Sequence, residues 1–362
     1  MVPALGCTGP TAYALAAACC RPYLTAASEQ IRIYVSPAFL KIGFGVATPG
    51  TSRPGIPIAV ALGLIGGDHK LGLQVLEPAT AEDMRAADKL VDSGIIQVLC
   101  DWEKKGVYVR AEVETKNETV LAVVEHTHDG ISLIQVNGKT IYEKAIAAGE
   151  GEANQERFMT IDEIFSYVEN APLNDIRFLL DGWKMNMALA QAALEQPFGL
   201  ASGRAYLKEY WKARGVPEDL FDRPMDYLPD NAVERSKILV AAASDGRMGG
   251  CRLPAMAAMG DGNQGLTGTI PIGVAAQFLG ADEETTCRAL AMSCLMLFFV
   301  KMNIGRAAAF CLCAIAASAG VAAGLSYLRG MPRELICGAV ITLAITFTLF
   351  LKDRTLSART EN

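Results

Sequence analysis

Apolar and polar positions change their rhythm three times along this chain. Around residues 29–36 they alternate, with Ile31, Ile33 and Val35 on one side, which predicts a half-buried strand. Gly43, Gly45, Pro49, Gly50 and Pro54 then crowd one stretch, the chemistry of a loop. The apolar run IPIAVALGLIGG behind it predicts a short buried helix. From residue 71 the rhythm changes. LGLQVLEP reads as a strand, and TAEDMRAADKLVDSG as a helix with an acidic first turn and a glycine stop. Four more strands are predicted in GIIQVLCDW, GVYVRAEVE, TVLAVVEHT and GISLIQVNG, separated by turn residues. The polar, acidic stretch AAGEGEANQERF predicts a hinge, and almost every segment beyond it has helical character, including three apolar segments from residue 283 onward. These rhythms predict an α+β protein. Residues 1–70 and 150–362 would form a mostly helical core, and residues 71–145 an inserted α/β subdomain.

Composition narrows the function classes. With 362 residues, 51% of them apolar and 20% charged, the chain can bury a large core and does not read as disordered. A net charge of −6 without a Lys/Arg stripe argues against nucleic acid as the main partner. The start lacks a basic region and a clear cleavage site, so a signal peptide is not expected. Ten cysteines with no export signal favour a reducing cytoplasm and thiol or metal chemistry over a disulfide framework. Three histidines are too few for a His-rich zinc site, and no phosphate loop, dinucleotide fingerprint or HExxH occurs. Two apolar runs test the soluble reading. AAAFCLCAIAASAGVAAGLSYL is mostly Ala and Gly and reads as a core helix, whereas LICGAVITLAITFTLFL is the membrane candidate.

Four stretches could carry chemistry. In GCTGP, Cys7 would stand before a helix that starts near Pro10, where the dipole favours a thiolate, although buried cysteines are usually inert. Residues 244–268 hold seven glycines, Gly260 and Gly262 among them, which would let backbone N–H groups approach a ligand. There Arg247 is a candidate carboxylate clamp, and Asn263 and Gln264 could orient an amino acid, against the alternative of a structural loop. In KMNIGRAAAFCLCA, Lys301 and Arg306 put cations beside an apolar region, with Lys301 grouped with the substrate-binding residues. The Cys311/Cys313 pair follows, and Cys7, Cys311 and Cys337 could contribute to a cluster only if they converged. His126 and His128 sit at strand spacing with Asp129 beside them, either facing one way toward a divalent ion or ending a strand on its wet face.

In fixed order, VPALGCTGPTAYALAAA, LKIGFGVATPGT, EHTHDGI, SDGRMGG…LPAMAAMGDGNQGLTGTIP and RALAMSCL…KMNIGRAAAFCLCA resemble the L-cysteine desulfidase family, related to the alpha portion of iron–sulfur L-serine dehydratases. The likeness runs from residue 2 to about 346. It implies a cytoplasmic β-eliminating lyase with a [4Fe–4S] cluster that converts L-cysteine to pyruvate, ammonia and sulfide, or acts on L-serine. By position it gives Cys7 the role of base for the α-proton, Cys311 that of first cluster ligand, and places Asn263 and Gln264 in the substrate loop. The chain departs from the family at Gly9, where relatives have Glu, at Asp261, where they have Ser, and at Cys294, where His is usual. A preceding helix and a downstream Cys-Asp-Gly-Ala-Lys…Cys ligand segment are also missing, so truncation at both ends is expected, with Cys313 or Cys337 as substitute ligands. Residues from about 347 read as an out-of-frame tail. Exposed apolar helices would then favour homo-oligomers. An inactive amino-acid-binding or interaction paralogue and a helical membrane protein are the alternative readings.

Overall fold

The computed structural model describes every residue except 7, 44, 52, 145–159, 218–220, 222, 305–312 and 358–362, and leaves undescribed the side chains of 8, 304 and 347–357. Cys7, Arg306, Cys311 and the expected hinge therefore lie outside the described residues. The architecture is α+β, in two layers of different make-up.

The first is a six-stranded sheet with helices on one face. Its strands are β2 (Ser28–Val35), β3 (Ile96–Cys100), β4 (Tyr108–Thr115), β5 (Thr119–Glu125), β6 (Ile131–Val136) and β7 (Lys139–Glu143). They stand in the order β3-β2-β4-β5-β6-β7, and only the β2–β3 pair is parallel. Alternation sends Ile31, Ile33 and Val35 inward, where α1 (Thr8–Cys20), α3 (Ile56–Gly66) and α4 (Ala81–Asp92) bury them. Helix α1 is buried all round between α3 and the sheet, which its Ala and Cys side chains permit because they let neighbours come close.

Several local expectations are corrected. LGLQVLEP is no strand: His69–Gln74 forms a 3₁₀ turn started by the Asp68 side chain, and Gly72 at φ 53 breaks any extended course. The start of FLKIGFGVATPGTSRPG, expected as loop, belongs instead to the short helix α2 (Pro37–Gly43). Strand β7 was not foreseen, although Asn137 and Gly138 (φ 50 and 75) supply the left-handed pair that a tight hairpin needs. The expected boundary at residue 70 does not separate the sheet's elements. Strand β2 lies before it yet stands second in the sheet, and α1 and α3 share one core with β4 and β5.

The second layer is helical: α5 (Ile161–Asn170), α6 (Phe178–Glu195), α7 (Ser202–Lys212), α8 (Ala232–Met248), α9 (Gly262–Leu279), α10 (Glu283–Ile304), α11 (Ser318–Leu328) and α12 (Arg333–Ser357). A two-stranded sheet crosses it, β1 (Val2–Leu5) antiparallel to β8 (Pro254–Ala257), so β8 is held between the chain's first strand and α9. Among the described residues one helix, Glu283–Asn303, is long and apolar enough to cross a membrane, and 56% of its most apolar window is buried inside the protein. That burial is the behaviour of a core helix. The run expected as the membrane candidate lies in α12, which exposes Leu335, Ile341 and Ile345.

Candidate functional site

The stretch expected as a glycine-rich loop is mostly regular structure. Helix α8 runs on to Met248, β8 follows, and a four-residue turn, Ala258–Asp261, leads into α9. In that turn Ala258 and Asp261 exchange both backbone hydrogen bonds at 3.0 Å, and Met259 (φ 48) and Gly260 (φ 76) are both left-handed. Left-handed backbone suits Gly260 but is costly for Met259, the kind of local strain that folds retain at working sites. Asp261 caps α9, accepting from the Gln264 backbone at 3.4 Å and from Gln264 Nε2 at 3.0 Å.

Arg247, in the last turn of α8, is only 2% exposed and lies flat against the start of α9. A Cβ on Gly262 would stand 2.2 Å from Arg247 Nε, so only glycine leaves room for the guanidinium. Arg247 Nη1 donates to Asn263 Oδ1 at 2.9 Å and lies 4.0 Å from Asp261 Oδ1. Its Nε and Nη2 are buried without a partner among the described residues, as is Oε1 of Gln264, itself 1% exposed. Lys301, 3% exposed on α10, donates from Nζ to the carbonyl of Met259 at 3.2 Å. Gly260, Gly262, Asn263, Gln264, Arg247 and Lys301 thus stand together around one turn. Arg247, Lys301 and the positive end of an 18-residue helix meet here beside Asp261, a setting that can receive an anion.

The scaffold behind the turn rests on Asn186, a fully buried amide on α6. Its Oδ1 accepts from the Met256 backbone and its Nδ2 donates to Thr269 Oγ1, both at 2.8 Å, which ties β8 to α6 and α9. Sequence reasoning missed it, although an amide inside the otherwise apolar run MNMALA was a usable signal.

His128 reaches the site from the sheet layer. His126 (φ 66) ends the extended course of β5, so the two histidines do not share a face: His126 is exposed while the His128 ring packs 5.5 Å from Phe39. A Cβ on Gly260 would lie 3.1 Å from His128 Nδ1. Burial pushes the imidazolium down from its ordinary 6.5 to about 4, with Asp261 and Asp129 pulling the other way and Lys301 and Arg247 adding to the fall. Between those two values the unfolded chain takes up a proton that the folded chain refuses, so stability falls as pH falls through this window. Urea midpoints followed from neutral pH down to that lower value should show this slope, and His128→Gln should flatten it; identical slopes in both proteins would refute the assignment.

The thiols do not join this cluster among the described residues. Cys313 opens the π-helical turn Cys313–Ala317, and Cys337 packs on α12 against the helical core. Cys294, pushed up to about 12 by burial, lies 3.2 Å from the Met1 sulfur on the wall of a cavity of about 230 Å³, which Ala258 and Met259 also line. No three His, Cys, Asp or Glu side chains among the described residues are placed to hold a metal ion, so of the two readings of His126, His128 and Asp129 the metal one finds no support.

A profile of the serine dehydratase alpha chain family matches residues 70–347. YhaM of Salmonella gallinarum, a UPF0597 protein, is 36% identical over 346 residues, covering 94% of this chain and 76% of that protein. UPF0597 proteins of Desulforapulum autotrophicum (35% over 352 residues, 94% and 77% covered) and Clostridioides difficile (33% over 344 residues, 93% and 78%) are similar in extent. No solved structure matches the chain.

Proposed function

The chain belongs to the serine dehydratase alpha chain family, and from that premise we propose that it is a β-eliminating lyase acting on L-cysteine or L-serine at the Arg247 site. The observation that carries the reading is the unpartnered edge of Arg247. Nε and Nη2 share one edge of the planar guanidinium, and their spacing matches the two oxygens of a carboxylate. Buried donors of this kind are rarely left without a partner, so a non-protein group is the natural complement. The Gln264 Oε1 atom offers an acceptor to the same ligand's ammonium.

In this reading the substrate carboxylate lies along Arg247, with its α-carbon near the Met259–Gly260 turn. Loss of the α-proton spreads negative charge into the carboxylate, where Arg247, Lys301 and the start of α9 already supply positive potential. The leaving group departs from Cβ as sulfide or water, and hydrolysis of the resulting enamine yields pyruvate and ammonia. The family resemblance adds a [4Fe–4S] cluster, with Cys7 as base and Cys311 as ligand. Both lie outside the described residues, and the described thiols do not by themselves fit such a group.

The test is pyruvate release from each amino acid by the full chain, purified without oxygen and reconstituted with iron and sulfide. Pyruvate from either substrate supports the lyase. Binding of either amino acid without any pyruvate would sink it and leave an amino-acid-binding paralogue.

A further inference from the structure

An amino acid held by its carboxylate on Arg247 still presents an ammonium group with three N–H donors. Gln264 Oε1 answers only part of that demand. Beside Gly260 of the same turn stands His128, which the sheet layer delivers through the turn after β5. We propose that His128 accepts a hydrogen bond from the substrate's α-ammonium group and so selects α-amino acids over their deamino analogues, a proposal that rests on the amino-acid reading of the site.

Three features of the geometry support it. The ring packs against Phe39 in a tilted ring pair. The ring centres of His128 and Phe39 are 5.5 Å apart; the Phe39 backbone N–H donates to Ser36 Oγ and its carbonyl accepts from Tyr13, and among the described residues the imidazole makes no hydrogen bond of its own. Its Nδ1 edge is directed at Gly260, the one residue of the turn without a side chain to cover it. Lastly, burial favours the neutral ring, with Lys301 and Arg247 adding to it and Asp261 and Asp129 opposing. A neutral imidazole carries one lone pair and adds no charge, so it can receive an ammonium without weakening the pull of Arg247 and Lys301 on the carboxylate.

The test compares two ligands on the full chain by calorimetric titration: L-serine and 3-hydroxypropionate, which keeps the carboxylate and hydroxyl but lacks the amine. The readout is the ratio of the two affinities. His128→Ala should reduce the preference for L-serine by about tenfold to a hundredfold, the loss of one hydrogen bond to a charged group. His128→Gln, which keeps an acceptor, should restore part of it, whereas Arg247→Gln should weaken both ligands. An unchanged ratio in His128→Ala, whether both ligands weaken equally or neither does, overturns the proposal while leaving the amino-acid site intact. A wild-type chain that binds neither ligand overturns the amino-acid reading itself, and the role of His128 with it.

Discussion

Arg247→Gln is expected to weaken L-cysteine and L-serine binding by at least about a hundredfold, because two hydrogen bonds to a charged carboxylate are lost together, each worth roughly 1.5–3 kcal/mol. The same substitution should leave the chain folded. The guanidinium is 2% exposed, donates from Nη1 to Asn263 Oδ1 at 2.9 Å and to the Met248 sulfur at 3.8 Å, and stands 4.0 Å from Asp261, so the folded protein bears much of the cost of burying it. Urea unfolding should therefore show stability equal to or above that of the wild type, the pattern expected when a residue is retained for a ligand. Arg247→Lys should also bind poorly, since a point charge cannot reproduce the two parallel donors. A variant that unfolds, or one that binds amino acids as before, would show that Arg247 is a structural residue.

Gly265→Ala should destabilise the protein by about 3 kcal/mol or more, the upper end of what overpacking costs, because the clash is with backbone. A Cβ there would stand 1.9 Å from the Met256 carbonyl oxygen. No rotamer relieves that contact, so β8 must move away from α9. The move would strain the 2.8 Å bond between Asn186 and the Met256 backbone and shift the Met259–Gly260 turn that follows β8. Binding should be lost along with stability. Gly268→Ala, three residues on, is the control: its Cβ would meet Leu297 Cδ1 at 3.3 Å, the end of a side chain that can turn aside. Urea denaturation of the two variants side by side decides the matter, and similar midpoints would mean that β8 and α9 are not locked together as described.

The contrast between these glycines shows what the pattern of residues could and could not say. Seven glycines in residues 244–268 predicted a loop, because glycine is common in loops. In the structure Gly262 and Gly265 sit inside a helix, where they allow a guanidinium and a carbonyl to come close. Composition records that a side chain is missing but not which neighbour occupies its place. The same limit applies to His126 and His128: a period of two put them on one face, and the left-handed backbone at His126 separated them. Arg247, Asn263, Gln264 and Lys301 were singled out by residue type, whereas Asn186 and His128 gained a place at the site only through partners far away in the chain.

By itself, then, the sequence determined what depends on near neighbours: the alternation at Ile31, Ile33 and Val35, the helix with an acidic first turn in TAEDMRAADKLVDSG, the helical run of the second half and the α+β class. These follow from backbone preference and from which side of an element meets water. Only the tertiary structure decided that β2 pairs with β4 across some eighty residues, that Lys301 reaches the Met259 carbonyl, and that a histidine from the sheet stands beside the turn that starts α9. Those contacts arise when separately patterned surfaces are buried against one another, and a periodicity says that a face will be covered without saying by what.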